Sequence, residues 1–209
     1  MQVALIPIPT GPMRVKETAI EGALILEPDV FGDVRGFFVE LYQNERYAEH
    51  GVRPRFVQDN LSRSARGVLR GLHLQAAKPQ GKLVTVLRGA VLDVVVDVRR
   101  GSPSFGRHAA IKLDDETRRQ IWIPRGLAHG FLVLSEFADF FYKCDEYYSP
   151  ADEIVLRWND PQLAIEWGCE SPQLSARDSA GATLSELIDR LPHYRDDACA
   201  FSSPAQPGR

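Results

Sequence analysis

Apolar residues in this chain come mostly in short runs with β character. Gly36–Tyr42 (GFFVELY) reads as a strand. Lys82–Val98 (KLVTVLRGAVLDVVVDV) reads as two β-rich runs meeting at Arg88-Gly89, a hairpin turn. Gln120–Ile123 and Gly130–Leu134 are strands on either side of PRGLAHG, and Phe137–Tyr148 (FADFFYKCDEYY) is an aromatic strand. Turn signals punctuate them at Phe31-Gly32-Asp33, Gly101-Ser102-Pro103, Ser149-Pro150 and Asn159-Asp160-Pro161. Helical pattern is confined to Asn44–Glu49, Asp114–Arg119 and Ala180–Leu191, where Leu184, Leu187 and Leu191 recur at helical spacing. Many short strands with regular punctuation predict a closed barrel or jelly roll.

The second run of the long β segment has two unlike faces. Leu92, Val94, Val96 and Val98 form a plain core face. Val91, Asp93, Val95 and Asp97 mix acids with valines on the other. Asp97 is expected on a solvated outer face. Asp93 is open between that and a polar-lined cavity inside a barrel.

At 209 residues the chain suffices for one sizeable domain. That domain is expected over 16–195, after a Pro- and Gly-rich arm at 1–15 and before a tail at 196–209 whose composition is that of a disordered segment. A net charge of −3 speaks against a nucleic-acid binder. No apolar run approaches the ~18 residues that span a bilayer, so no membrane partner is expected. Cys144, Cys169 and Cys199 are widely spaced and odd in number, which suggests reduced thiols rather than a disulfide framework or a zinc ribbon. With no signal-like start, the cytoplasm is the expected compartment.

Several residues could carry chemistry, and each has a plainer reading beside it. His73 in VLRGLHLQ and His129 in IPRGLAHGF sit in Gly-flanked β contexts, where a lone histidine is usually structural. Lys82 begins a strand, where a lysine is usually a solvated end. Tyr142 shares strand parity with Ala138, Phe140 and Cys144, so it points inward, where packing is the commonest task. Asp178 could cap the last helix. Strict alternation sets Arg70 and His73 on opposite faces, unless Gly71 hosts a bulge or Arg70 serves a partner subunit's site.

Taken in order, FGDVRGFFVELY, FVQDNLSRSARGVLRGLHLQ, PQGKLVTVLRGAVLDVVVDVRRGSPSFG, IWIPRGLAHGFLVLSEFADFFYKCDEYYSPADE and LSARD closely resemble the dTDP-4-dehydrorhamnose 3,5-epimerase family of the cupin superfamily. The resemblance runs from about Glu21 to about Leu191. It implies a mainly β, cupin jelly-roll barrel with a few short helices, one at the C-terminal end, assembled as a homodimer. It implies a dTDP-4-keto-6-deoxysugar substrate, dTDP-4-dehydro-6-deoxy-D-glucose, with inversion at C3 and C5 on the L-rhamnose pathway. Carried over by motif, His73 is the base, Asp178 its orienting partner, Lys82 the cation for enolate charge, and Tyr142 the acid on the opposite face. Asp93 and His129 are pocket residues. Arg35, Glu40, Gln58, Asp59, Asn60 and Arg70 face the nucleotide, with Glu153 nearby and Tyr148 stacking on thymine. Arg177 stands where some relatives have Lys, which keeps the charge and changes the donor geometry.

No cofactor is expected. A cupin metal site sets a second His two residues after the first, and here that residue is Gln75, a poor ligand. The same motifs leave room for a 3- or 5-mono-epimerase or a 3,4-ketoisomerase of a related sugar. A non-catalytic sugar-nucleotide binder would have no reason to carry His73, Lys82, Tyr142 and Asp178 together.

Overall fold

The computed structural model describes residues 13–194. The first strands are β1 (Arg14–Glu17), β2 (Leu24–Glu27), β3 (Val30–Asp33) and β4 (Gly36–Val39), followed by helix α1 (Asn44–Glu49). Then come β5 (Gln58–Ala65), β6 (Leu69–Gln75), β7 (Lys82–Arg88), β8 (Ala90–Asp97), β9 (His108–Asp114), β10 (Gln120–Ile123), β11 (Leu127–Val133) and β12 (Phe137–Cys144). Strand β13 (Glu153–Val155) and the short helices α2 (Ala176–Ser179) and α3 (Leu184–Leu187) complete the chain.

Two antiparallel sheets face each other, a six-stranded one in the order β1-β2-β10-β7-β12-β5 and a five-stranded one in the order β13-β6-β11-β8-β9. Strands β3 and β4 form a separate ribbon. Alternation along the strands divides the apolar residues among three layers. Val84, Val86, Ile121 and Phe140 of one sheet meet Val91, Val95, Phe131 and Val133 of the other between the sheets. The outer face of the five-stranded sheet offers Leu72, Val94 and Val96, which the C-terminal segment covers with Leu163, Trp167, Leu184 and Leu187. The outer face of the six-stranded sheet offers Leu83 and Trp122 to Tyr47 of α1 and Val52. This is the jelly-roll class expected, with helix limited to short pieces.

Some expectations are corrected. The Lys82–Val98 segment is not a hairpin. Strand β7 is flanked by β10 and β12, and β8 by β11 and β9, so the chain at Gly89 crosses from one sheet to the other. Both runs carry apolar residues on both faces because both are central strands, covered above and below. Asp97 is not on a solvated face but wholly buried. One oxygen accepts the Arg99 N–H and Nε, and the other accepts Arg99 Nη2, Ser102 Oγ and Ser104 Oγ. Burial raises its pKa, but these donors outweigh it and hold the carboxyl below the usual range.

The Asp114–Arg119 stretch is not helical but the end of β9 and a turn, because the Asp114 carboxylate captures the Thr117 N–H and hydroxyl at 2.8 Å each. The last helix starts only at Leu184, since Ala182 is drawn into a bridge with Leu156 and Thr183 is the N-cap. Arg14 and Val15, expected in the arm, pair with Glu27 and Leu26. Residues 1–12 and the tail from 195, with Cys199, lie outside the described residues.

Candidate active site

The site is set by an irregularity in β6. Its partner β11 aligns His129 with His73 and Phe131 with Arg70, so Gly71 and Leu72 oppose Gly130 alone. His129 and Phe131 are two residues apart and share a face, so Arg70 and His73 share one as well. The bulge answers the conflict that strict alternation raised. It requires glycine on both strands. A Cβ on Gly71, whose φ is +114°, would lie 2.6 Å from Gly130 Cα, and one on Gly130 would lie 2.6 Å from the Arg70 carbonyl oxygen.

His73 keeps 28% of its side chain exposed, and its Nε2 lies 2.5 Å from Oδ1 of the nearly buried Asp178. Asp178 does not cap α3. It lies in the first turn of α2, whose N-cap is Ser175. Ser175 Oγ accepts the Asp178 N–H at 3.0 Å and donates to Oδ2 at 2.8 Å. Burial pushes the Asp178 carboxyl up, but His73, Ser175 and the Gly71 N–H outweigh it and hold the pKa below the usual range. The carboxylate is therefore an acceptor, Nε2 carries the proton, and Nδ1 is the nitrogen left to take another. Nδ1 is 3.8 Å from Glu153 Oε1.

Tyr142 points between the sheets, as parity predicts, and packs beside Phe140 with ring centroids 6.0 Å apart. Burial pushes its phenol up to about 12, so it is a neutral donor at ordinary pH. Lys82 is not a solvated end. Its Nζ lies 5.8 Å from the Tyr142 ring centroid, and burial lowers its pKa against the opposing pull of Cys144, Glu153 and Asp93. Asp93 is buried, as the cavity reading has it, with Oδ2 2.9 Å from His129 Nε2. Its Oδ1 has no hydrogen-bond partner among the described residues.

Other candidates gather at the mouth. Glu153 pairs with Arg177 and accepts the Tyr148 hydroxyl at 3.0 Å. Arg70 is held by Ser64 Oγ at 2.9 Å. Gln58 and Asn60 face inward opposite Cys144 and Tyr142, joined by a 2.9 Å hydrogen bond. Asp59 faces outward and pairs with Lys143 at 2.8 Å. It borders a cleft of about 560 Å³ lined by Tyr42, Arg55 and Phe56 on that side of the sheet, away from His73.

Arg35 and Glu40 are not brought to the site of their own chain. Arg35 pairs with Asp33 on the β3–β4 ribbon, whose Phe37 lies under Arg118. Arg118 bonds to the Leu87 carbonyl, five residues along β7 from Lys82, or about 17 Å. Glu40 pairs with Arg46 of α1, which covers the outer face of the sheet.

The Gln75 amide is committed to the backbone of Lys78, Tyr147 and Ser149. Among the described residues no three His, Cys, Asp or Glu side chains are grouped to hold a metal ion. Ser175 and Ser64, which no motif singles out, bond to the candidates Asp178 and Arg70. The Ser-x-x-Asp spacing of Ser175 and Asp178 is a helix-capping pattern and could have pointed to the first.

The model of the dTDP-4-dehydrorhamnose 3,5-epimerase family matches residues 17–186. The dTDP-4-dehydrorhamnose 3,5-epimerase of Pseudomonas aeruginosa is 49% identical over 176 residues, covering 83% of this chain and 97% of the relative. The dTDP-4-dehydrorhamnose 3-epimerase of Streptomyces niveus is 43% identical, covering 92% and 96%. The crystal structure of the dTDP-6-deoxy-D-glucose-3,5-epimerase from Legionella pneumophila Philadelphia 1, in complex with dTDP-4-keto-L-rhamnose, superposes with a TM-score of 0.85. It is 52% identical and covers 88% of this chain and 99% of that one.

Proposed function

The chain belongs to the dTDP-4-dehydrorhamnose 3,5-epimerase family, and from that premise we propose that it inverts C3 and C5 of dTDP-4-dehydro-6-deoxy-D-glucose to give dTDP-4-dehydro-L-rhamnose. The observation that carries the reading is the His73–Asp178 pair, 2.5 Å apart, beside Glu153, whose charge is also felt by Lys82 and Tyr142, themselves 5.8 Å apart from ammonium to ring centroid. The C4 ketone acidifies the hydrogens at both neighbouring carbons. His73 takes one through Nδ1, and the C–H electrons form a C=C bond and a C4 oxyanion. Asp178 stabilises the imidazolium. The Lys82 ammonium favours the oxyanion over the neutral ketone. Tyr142 returns a proton from the other face, which inverts the centre, and solvent restores both groups. Neither metal nor redox cofactor enters these steps, and the commitment of Gln75 to backbone groups supports that reading.

The nucleotide falls to Arg70, Gln58, Asn60, Tyr148 and Arg177 at the mouth, with His129 and Asp93 lining the sugar cavity. Arg35 and Glu40 fit this reading only if a second copy supplies them. The ribbon that bears Arg35 exposes Val30, Phe37 and Phe38, an apolar surface suited to a homodimer. Cys144 and Cys169 are free thiols, in keeping with a cytoplasmic enzyme.

Incubation with the 4-keto sugar in D2O tests the proposal. Deuterium at both C3 and C5 of an L-configured product is expected. Label at one carbon alone would make the chain a mono-epimerase, a 3-keto product a ketoisomerase, and no label a binding protein.

A further inference from the structure

Asp145 is a buried carboxylate outside the His73 cavity, with no task in the chemistry above. It comes directly after the last residue of β12. Its Oδ1 accepts the Gly81 N–H at 2.6 Å, and its own N–H donates to the Gly81 carbonyl at 3.1 Å. Its Oδ2 accepts Arg125 Nε at 2.9 Å, and Arg125 Nη2 reaches its carbonyl at 3.2 Å. Gln80 closes the same turn by donating to the Glu146 carbonyl at 2.8 Å. The fit is tight enough to demand glycine. A Cβ on Gly81 would stand 2.7 Å from Asp145 Oδ2 and 2.7 Å from the Trp122 ring.

The three partners lie next to three site residues. Gly81 directly precedes Lys82, Asp145 lies three residues after Tyr142, and Arg125 opens the segment that leads into His129. One carboxylate thus ties together the ends of the strands that bring these side chains to the cavity. Burying a charge is costly, and a well-packed apolar residue would hold a strand end as well. What the carboxylate adds is a fixed direction for the Gly81 N–H, and with it a fixed Lys82 Cα. Burial raises the Asp145 pKa despite Arg125 and Gly81, in keeping with that cost.

We propose that Asp145, held by Arg125, is a positioning residue that fixes where Lys82 enters the cavity. The inference rests on the reading of Lys82 as the cation that meets the developing oxyanion. A lysine ammonium hangs on four flexible torsions, so its placement depends on its backbone anchor, and a misplacement of about 1 Å is enough to cost ~10²-fold in rate.

The test is a double-mutant cycle in the full chain, read as turnover and as affinity for dTDP. Asp145→Asn keeps the size and a carbonyl oxygen but removes the charge facing Arg125. Turnover is expected to fall about 10-fold or more with dTDP affinity within roughly twofold. In the Lys82→Ala background the same change is expected to alter turnover less than about twofold, because a residue that acts through Lys82 has nothing left to position. Equal losses in both backgrounds, or wild-type turnover for Asp145→Asn, overturn the positioning role. If Asp145→Asn does not fold, Arg125→Gln carries the same cycle from a half-exposed site. Wild-type turnover for Lys82→Ala alone would reject the enolate role of Lys82, a different failure from additivity in the cycle.

Discussion

The geometry around Asp178 makes Asp178→Asn a sharp perturbation. Ser175 Oγ donates to Oδ2 at 2.8 Å while Oδ1 faces His73 Nε2 at 2.5 Å. An asparagine has one acceptor oxygen where the carboxylate has two, and the Ser175 hydroxyl, the Gly71 N–H and His73 Nε2 compete for it. Where the Ser175 hydroxyl takes it, the amide nitrogen faces Nε2 and donates to it, which drives the imidazole proton to Nδ1, the nitrogen that must accept from substrate. The variant loses twice. A hydrogen bond to a charged group is removed, worth about 1.5–3 kcal/mol, or roughly 10–150-fold. The wrong tautomer adds to it, with the ~10⁴-fold loss of a hydrolase triad as a guide to the upper end. We expect deuterium exchange at C3 and C5 to fall by about 10²–10⁴-fold with dTDP affinity unchanged. Adding Ser175→Ala frees the amide to turn over and should recover part of the rate. Exchange within about threefold of wild type would refute the assignment of Asp178 as the partner of the base.

Tyr142→Phe keeps the ring against Phe140 but deletes the proton, so the variant should wash deuterium into substrate with retained configuration and form little epimer. Inversion at wild-type rates, tracked by chiral product analysis, would leave Tyr142 as packing alone. Exhaustive chelation should leave activity intact, and an activity lost to chelator and restored by one divalent metal would overturn the metal-free reading. Asp97 has a depressed folded pKa, so its stabilisation is present above the unfolded value near ~3.9 and is lost as pH falls through the folded value. Asp97→Asn should therefore lower stability at pH 7 by about 3 kcal/mol, and by much less near pH 2. Urea titrations at the two pH values measure this, and equal losses at both would contradict the linkage.

Alternation along the chain was enough to point Tyr142 inward, to set Leu92, Val94 and Val96 on a core face, and to announce a β barrel, because side-chain direction in a strand depends only on parity. The motif around Gly71 carried its own warning, since Arg70 and His73 could share a face only through a bulge. What parity lacks is any record of which strand lies beside which. The Lys82–Val98 run has the chemistry of a hairpin, yet β7 and β8 belong to different sheets, because each is held on both edges by strands distant in sequence. The burial of Asp97 depended on Arg99, Ser102 and Ser104 folding back over it. His73 and Asp178, 105 residues apart, meet only because the C-terminal segment packs across the five-stranded sheet and sets α2 against β6. Local pattern decides which way a side chain points. Which side chains meet is decided by the burial of apolar faces contributed from the whole chain.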